Sequence, residues 1–145
     1  MHPYSYSISL RLCHPNIDPA EITRFLALEP KYAWKAGNPR QTPKGTPLEG
    51  VYRESFWTSN LIPHGEEPSE ETLLEEYLDH FAKQLAPSRD FFARVRSEGG
   101  RAELFIGTYG GRNFGFEFPP SLLNTIADIG LSLSFDVYPN TPKWQ

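Results

Sequence analysis

The chain has 145 residues, enough for one ordinary domain and too few for two domains with separate cores. Aromatic residues make up 14% of it and charged residues 22%, a composition that is typical of a folded chain and argues against a disordered one. The formal net charge of −4 argues against a general nucleic-acid binder, because no overall basic field would attract phosphate groups.

Cysteine content and the N-terminus indicate the cellular setting. A single cysteine, Cys13, cannot form an internal disulfide, so nothing in the fold requires an oxidising compartment. The first residues lack the basic and apolar regions of a secretory signal, and the chain has no run of about 18 apolar residues that could cross a membrane. We therefore expect a cytoplasmic protein without membrane association, folded as one domain over 1–145 with a short tail at 139–145.

The first predicted element is a strand over Tyr4–Cys13, in which apolar and polar residues alternate strictly. A short helix follows, because Asp18 is placed to cap it, Pro19 suits its first position, and Glu21 completes a capping box. The helix ends before Pro30. The side chains that it is expected to turn toward the core are Ile22, Phe25 and Leu26.

Two short strands are predicted next, at Tyr32–Ala36 and Val51–Thr58. The Pro- and Gly-rich stretch Gly37–Gly50 between them indicates a long loop. Ser69 then opens the longest helix, whose apolar residues recur at helical spacing until Pro87 stops the run.

A shorter helix and a hairpin are predicted after this point. Ser88 is placed to cap the helix, which runs to Gly99. Arg101–Tyr109 alternates as a strand, and the residues at 110–113 are typical of a turn. The returning strand would carry on one face Phe114, Phe116 and Phe118.

A last helix and a last strand complete the predicted elements. The helix begins at Pro119-Pro120, and Gly130 suits the left-handed conformation that commonly ends a helix. The strand alternates, with an apolar face made of Leu131, Leu133, Phe135 and Val137. Phe135 lies in the middle of that face, so we expect it in the core.

The order of elements predicts an α+β fold. Both the beginning and the end of the chain consist of a strand, a short helix and another strand. We therefore expect two β-α-β halves on one antiparallel or mixed sheet, with helices packed on one face, as in ferredoxin-like folds.

Several short motifs carry a resemblance to a known family. They are HPNIDPAEIT at 14–23, LALEP at 26–30, WKAG at 34–37, the lone Trp57 and FDVY at 135–138. With these motifs spread over nearly its whole length, the chain resembles the uncharacterised bacterial domain-of-unknown-function family 4279. The resemblance implies a small bacterial α+β protein, and it brings no catalytic residues with it. Some families of this kind act as immunity proteins against bacterial toxins, a role that applies here by analogy.

The sequence holds no pattern typical of catalysis or of a metal site. The histidines are far apart, without the short spacings of metal ligands, and are His2, His14, His64 and His80. We therefore expect a protein that is not an enzyme and that holds neither a metal nor a cofactor.

An acidic stretch is the first candidate site. It has seven acids within fourteen residues and no base, namely Glu66, Glu67, Glu70, Glu71, Glu75, Glu76 and Asp79. On a helix, Glu71 and Glu75, and likewise Glu75 and Asp79, would be unfavourable like-charge pairs with no Lys placed to relieve them. The stretch is either a solvated surface or a docking site for a basic protein partner, for which the acids from Glu67 to Asp79 are the candidates.

A basic and aromatic segment is the second candidate site. The bases around Trp34 in the sequence are Lys31, Lys35, Arg40 and Lys44. Alternation places Tyr32 and Trp34 on one face of a strand, and we expect helices to cover that face, so that Trp34 fills the core. The alternative is a small-ligand or anion site, whose candidate residues are Trp34, Lys35, Arg40 and Trp57.

These patterns favour a protein that binds rather than catalyses. The leading hypothesis is a protein-interaction module that uses the acidic helix toward an unknown basic partner, and the alternative is a domain that binds a small ligand or anion near Trp34. The expected oligomeric state is a monomer or a weak homodimer.

Overall fold

The computed structural model describes residues 1–139, so the predicted tail at 139–145 lies outside it except for its first residue. The elements in chain order are β1 Ser5–His14, α1 Pro19–Leu26, β2 Tyr32–Trp34, β3 Pro39–Gln41, β4 Pro47–Val51, β5 Ser55–Asn60, β6 Glu67–Pro68, α2 Leu74–Leu85, α3 Arg89–Ser97, β7 Arg101–Tyr109, α4 Pro120–Ile129 and β8 Ser132–Tyr138. A single 3₁₀ turn, Ala86–Ser88, joins α2 to α3.

β1 is the central strand of a mixed sheet. It pairs antiparallel with β5 on one side and with β7 on the other, and the short β6 pairs with its beginning. β2 pairs antiparallel with β5 and forms one edge, whereas β8 pairs parallel with β7 and forms the other. The strand order is therefore β2-β5-β1-β7-β8.

Two β-α-β units contribute to this sheet, as the sequence predicts, although the second one uses β7 in place of the predicted strand at 114–118. In the first, α1 connects β1 to β2, which run parallel to each other with β5 between them. In the second, α4 connects the adjacent parallel strands β7 and β8. The order β7-β1-β5-β2, in which all neighbours are antiparallel, is that of a ferredoxin-like split β-α-β arrangement. The predicted α+β class, with a mixed sheet and helices packed on it, is confirmed.

The core lies between one face of the sheet and the helices. Every second side chain of β1 is buried there, including Tyr6, Ile8, Leu10 and Leu12. These side chains form one cluster with residues from all four helices, such as Ile22, Leu78, Phe92 and Ile126. The helices therefore cover the same face, and we call the opposite side of the sheet the open face. Because side chains alternate along strands, the open face carries Arg11, Cys13, Phe56 and Phe105.

α1 begins as predicted but differs in two details. The Asp18 carboxylate accepts the backbone N–H of Ala20 at 3.0 Å, which confirms the cap. The capping box is wrong, because the Glu21 carboxylate accepts a hydrogen bond from Arg94 at 2.6 Å instead of turning back to the helix end. Phe25 is 53% exposed and is not a core residue, since it stacks on a ring of α3 at the rim of the core.

A two-stranded sheet replaces the predicted long loop at 37–50. β3 and β4 pair antiparallel and are separate from the main sheet. Pro39 and Pro47 each stand first in their strand, a position where proline is tolerated, so these prolines do not exclude strands. β4 ends at Val51, and the predicted strand Val51–Thr58 is therefore wrong at its start, although β5 matches its second half.

α2 begins at Leu74 and not at Ser69 as predicted. Tertiary contacts hold Ser69 against Tyr4, the residue before β1. The Ser69 hydroxyl accepts the N–H of Tyr4 at 2.9 Å, and the Ser69 N–H donates to the carbonyl of Tyr4 at 2.8 Å. The acidic stretch therefore begins with a short strand, β6, and a turn. Only its last three acids lie on the helix, and these are Glu75, Glu76 and Asp79.

The segment 114–118 is not a strand, so the predicted hairpin is wrong. The N–H of Glu117 donates to the Glu75 carboxylate at 2.9 Å, and the Phe116 ring stacks on that of Phe135 with 5.5 Å between centroids. β8 occupies the position beside β7 that the hairpin would have taken. Phe135 on this edge strand is 38% exposed and lies outside the buried core, contrary to the expectation.

The remaining helix ends agree with the sequence in most respects. α4 begins at Pro120 and is followed by Gly130, whose φ of 87° is left-handed as predicted. Ser88 precedes α3, but its side chain makes no capping hydrogen bond, so the predicted cap is wrong. Ala27, after α1, also has a left-handed φ of 54°.

Among the residues that the structure describes, no helix has the length and apolarity needed to span a bilayer.

Candidate functional site

Several carboxylates of the acidic stretch form hydrogen bonds or ion pairs within the fold. Glu67 is buried on β6, with its carboxylate 2.6 Å from a ring nitrogen of His64. The Glu75 carboxylate is bound to the backbone of the 114–118 segment. Asp79 forms an ion pair with Lys83 at 2.8 Å, which corrects the prediction that no Lys is placed to relieve these acids. Three of the six candidate acids are thus engaged within the fold.

The other three candidate acids are exposed. Glu70, Glu71 and Glu76 form no ion pair with any residue in 1–139. Glu71 precedes α2, so the predicted helical pair of Glu71 and Glu75 does not exist. The continuous acidic helix face is therefore reduced to a few separate carboxylates.

Trp34 lies on the open face of the sheet, and the prediction that it fills the core is wrong. Its ring stacks on those of Tyr52 and Phe56, each with 4.7 Å between centroids. Trp34 pairs directly with Phe56 across β2 and β5, and paired residues project to the same face. The indole is half-buried among aromatic rings and is absent from the cluster beneath the helices.

Trp57 belongs to the core and cannot share a site with Trp34. It pairs with Ala33, the neighbour of Trp34, and so projects to the opposite face. It is fully buried at 0% exposure, and its indole N–H donates to the Thr23 hydroxyl at 3.0 Å. The candidate set of four residues is therefore corrected to exclude Trp57, which fastens α1 to the sheet.

A cleft of about 520 Å³ lies between β2 and the β3–β4 hairpin. Its lining residues are Lys31, Tyr32, Ala33, Trp34, Asn38, Pro39, Gln41, Thr42, Pro43 and Tyr52. Tyr52 fixes the hairpin to the aromatic stack, because its hydroxyl donates to the carbonyl of Gln41 and accepts that residue's N–H, both at 3.2 Å. A second cleft, of about 640 Å³, lies on the other side of Tyr52 and is lined in part by Arg40 and Arg53. We call the first of these the β2 cleft.

The segment that forms β2 and the β3–β4 hairpin is rich in cations, and one of them, Lys31, lines the β2 cleft. The segment 31–53 carries five exposed bases, which are Lys31, Lys35, Arg40, Lys44 and Arg53. Its one acid is Glu49, so its net charge is +4 in a chain whose total is −4. None of the five bases takes part in an ion pair within the described chain, whereas the bases of β1, α2, α3 and β7 are paired in several cases. Within residues 1–139, the side chains of these bases form one hydrogen bond, which Arg40 donates to the carbonyl of Glu49 at 3.2 Å.

A second polar cluster, which the sequence analysis missed, joins the ends of three elements. The His14 Nδ1 accepts the backbone N–H groups of Asn16 and Ile17 at 3.0 and 2.9 Å, so the ring proton is on Nε2 and is donated to Glu98 at 2.8 Å. Glu98 also accepts from Arg94, and these hydrogen bonds from His14 and Arg94 lower the pKa of its carboxyl. Both ring nitrogens are already bonded, so this cluster fastens β1 to α3 rather than supplying a base for chemistry.

The described part of the chain contains no cluster of metal-ligating side chains. Across residues 1–139, no three His, Cys, Asp or Glu side chains are grouped so that they could hold a metal ion. The polar side chains that line the β2 cleft are amides, hydroxyls and one ammonium group. The chemistry that this arrangement offers is recognition by charge, hydrogen bonding and aromatic contact.

The fold and the cleft define a small α+β protein with a cationic, aromatic groove at one edge of its sheet. Comparison with known protein families identifies its family. The chain belongs to DUF4279, described as a domain of unknown function, whose family model matches residues 3–140. This is the family that the short motifs indicated. No curated protein and no solved structure matches the chain.

Proposed function

We propose that the protein is a non-enzymatic binding protein that holds an anionic ligand in the β2 cleft. The observation that carries the proposal is a preformed aromatic cleft lined by Lys31, in a segment whose five exposed bases form no ion pair within residues 1–139. Surface cations are ordinarily balanced by nearby acids, and an unbalanced group raises the local concentration of anions.

The cleft is held in shape before a ligand arrives. The stack of Trp34 with Tyr52 and Phe56, together with the two hydrogen bonds of the Tyr52 hydroxyl, fixes the hairpin relative to β2. Binding therefore does not require ordering of these rings, which lowers its entropic cost. Hydrogen bonds from ammonium or guanidinium groups to an anion are roughly twice as strong as neutral ones.

The lining favours binding over catalysis. Among the described residues that line the β2 cleft there is no His and no carboxylate. General acid–base chemistry relies on such groups, and nucleophilic chemistry relies on a side chain activated by one of them. The amides of Asn38 and Gln41 and the hydroxyl of Thr42 provide hydrogen-bonding groups suited to recognition.

Titration with phenyl phosphate, which combines an aromatic ring with an anion, tests the proposal. Two-dimensional NMR of the labelled full-length chain should show the indole N–H signal of Trp34 shifting in a saturable manner. The indole signal of Trp57 is an internal control, because it is buried and bonded to Thr23 and should not move. Shifts that sodium chloride reproduces at equal ionic strength would contradict a specific site.

Charge reversal provides matched variants for the same titration. Lys31→Glu removes a base that lines the cleft, and it should weaken phenyl phosphate binding by about tenfold or more. Arg112→Glu makes the same change in net charge at an exposed position outside the cleft. Equal losses in both variants would show that net charge, and not the cleft, attracts the anion.

A second candidate function rests on the exposed acids that remain. Glu70, Glu71 and Glu76 form no ion pair within the described chain and are available to a basic protein partner; by the immunity analogy, that partner would be a bacterial toxin. Capture from host lysate at low salt should recover basic proteins with the native chain. The variant with Gln at these three positions should lose them, and equal recovery with both would reject this candidate.

A further inference from the structure

We infer that the ligand of the β2 cleft is an acidic, extended segment of polypeptide that pairs with the outer edge of β2 as an added strand. This inference rests on the proposed function, since it names the class of anion that the cleft takes. Three observations support it: the cleft lies along β2, the outer edge of β2 is unpaired within the described sheet, and bases flank this strand.

The cleft runs along the edge of the strand. It contacts the three successive residues Tyr32, Ala33 and Trp34. Successive side chains of a strand project to opposite faces of a sheet, so a single cleft that contacts all three must pass beside the backbone itself. The inner edge of β2 is paired with β5, and the cleft therefore lies along the outer edge.

The outer edge of β2 has no strand beside it within the described sheet. The strand order ends at β2, and the β3–β4 hairpin forms its own sheet rather than continuing the main one. The hairpin instead supplies the far wall of the cleft, with the side chains of Asn38, Gln41 and Thr42. A gap between a strand edge and a polar wall suits an extended chain, whose backbone bonds to the edge while its side chains meet the wall.

Charge selects an acidic occupant and distinguishes this edge from the other. β2 lies between Lys31 and Lys35, and Arg40 and Lys44 belong to the hairpin or its turn. β8, the opposite edge strand, contains Asp136 and no base. β2 is only three residues long, so the ladder would have few hydrogen bonds, and ionic contacts with the flanking bases would supply the remaining affinity.

A blocked hexapeptide of alternating Glu and Thr is the probe. We expect it to bind the full-length chain and to shift the amide signals of β2 in NMR spectra. Two further peptides carry N-methyl groups on every second residue, in the two opposite phases. In a strand, alternate N–H groups project to the same side, so only one phase removes the donors that face β2. That peptide should bind about tenfold more weakly than its isomer, which corresponds to the loss of about 1.4 kcal/mol.

Each outcome tests either the inferred strand addition or the proposed binding of an anion in the β2 cleft. Equal affinities of the two methylated peptides would overturn strand addition, because ionic attraction does not depend on the phase. Binding of phenyl phosphate without binding of the peptide would overturn the inferred class and leave the proposed function in place. Absence of binding by both probes would overturn the proposed function itself.

A charge variant separates the β2 edge from general attraction of the acidic peptide. Lys31→Glu should weaken the unmethylated peptide by about tenfold or more, whereas Arg112→Glu should change its affinity less than about twofold. Both positions are exposed, and circular dichroism with thermal unfolding checks that each variant folds. Equal weakening by the two variants would contradict a site at β2.

Discussion

Trp34 and Trp57 lie on neighbouring paired strands, yet their side chains project to opposite faces of the sheet. The pairing of Ala33 with Trp57 and of Trp34 with Phe56 produces this separation. Alternation in the sequence indicates which residues share a face, but it does not reveal which face the helices cover. Alternation therefore predicts correctly that Tyr32 and Trp34 share a face, but the prediction that this face is the core face is wrong.

The two tryptophans should differ in their contribution to stability. Trp57→Ala should lower the free energy of unfolding by about 3–5 kcal/mol, as for other large core residues. Trp34→Ala should lower it by about 1–3 kcal/mol, since it loses two ring stacks but opens no cavity in the core. Urea denaturation of both variants measures the difference, and an equal loss would place Trp34 in the core after all.

Asp18 is a case in which one residue could be interpreted correctly from the sequence alone. Its carboxylate satisfies an N–H of the first turn of α1, so Asp18→Ala should lower the free energy of unfolding by about 1 kcal/mol. Asp18→Asn keeps an acceptor and should cost less. Unchanged urea midpoints for the alanine variant would contradict a stabilising role of the cap.

At the scale of elements, the sequence identified local patterns and missed the contacts that compete with them. Ser69 is a good helix cap by type, but Tyr4 of the first strand region takes both its hydroxyl and its N–H, and the helix starts later. The phenylalanines at 114–118 alternate like a strand, but β8 already pairs with β7 at that edge. Pairing between distant segments decided both outcomes, and local propensity carries no information about it.

The β2 cleft was missed for the same reason. The stretch at 37–50 is rich in Pro and Gly and gives no periodic signal, so the hairpin that forms one wall could not be predicted. The bases and aromatic residues around Trp34 were visible, and they were the useful signal for the site. The fold is needed to show that Lys31, Trp34 and Tyr52 line one groove beside the β3–β4 hairpin.

The ends of α1 and α4 form a matched pair for testing helix termination. Ala27 and Gly130 both adopt left-handed φ values, of 54° and 87°. Left-handed backbone costs a residue with a Cβ about 1–2 kcal/mol, so Ala27→Gly should stabilise the protein by up to about 1 kcal/mol. Gly130→Ala should destabilise it by about 1–2 kcal/mol or more, because the new Cβ also meets the Arg96 guanidinium. Thermal unfolding of both variants is the measurement, and shifts of the same sign would contradict the argument.

The partial exposure of β8 predicts a moderate effect of truncating Phe135. Its ring stacks on Phe116 and Phe118 at the edge of the sheet, so Phe135→Ala should cost about 1–3 kcal/mol. Phe92 is fully buried beneath the helices, and Phe92→Ala should cost about 3–5 kcal/mol. Chemical denaturation of the two variants compares them, and a larger loss for Phe135 would show that β8 completes the core.

Over the whole molecule, the bases of 31–53 are separated from most of the acids. The segment has a charge of +4, which leaves −8 for the rest of the chain. Several acids in that remainder stabilise the fold through hydrogen bonds, among them Glu67 and Glu98. The uneven distribution of charge is already visible in the sequence, whereas the fold shows which of these charges are paired.

The free energy of unfolding should therefore decrease at acidic pH. Hydrogen bonds from His14 and Arg94 lower the pKa of Glu98, and those from Thr72 and His64 lower the pKa of Glu67, both from an ordinary value of 4.5. A carboxyl with a lowered folded-state pKa stabilises the fold above its unfolded pKa, and this contribution is lost as pH falls through the folded pKa. Urea midpoints should thus decline below about pH 4.5.

A substitution at Glu98 tests this explanation of the acid response. Glu98→Gln should be less stable than the native chain near neutral pH and should lose less stability on acidification. Glu70→Gln is the matched control, because Glu70 is exposed and unpaired within 1–139, and it should follow the native profile. An unchanged pH profile in Glu98→Gln would show that the His14 cluster does not contribute to it.

The central position of β1 has a consequence for how the molecule opens. β1 is flanked by β5 and β7, so its amide hydrogens are released only when most of the sheet separates, whereas β2 and β8 are held from one side. Deuterium uptake should consequently be slowest in β1 and faster at both edges. A strand added to β2 would slow uptake there while leaving β1 and β8 unchanged, so isotope exchange would report a bound peptide by its place in the sheet.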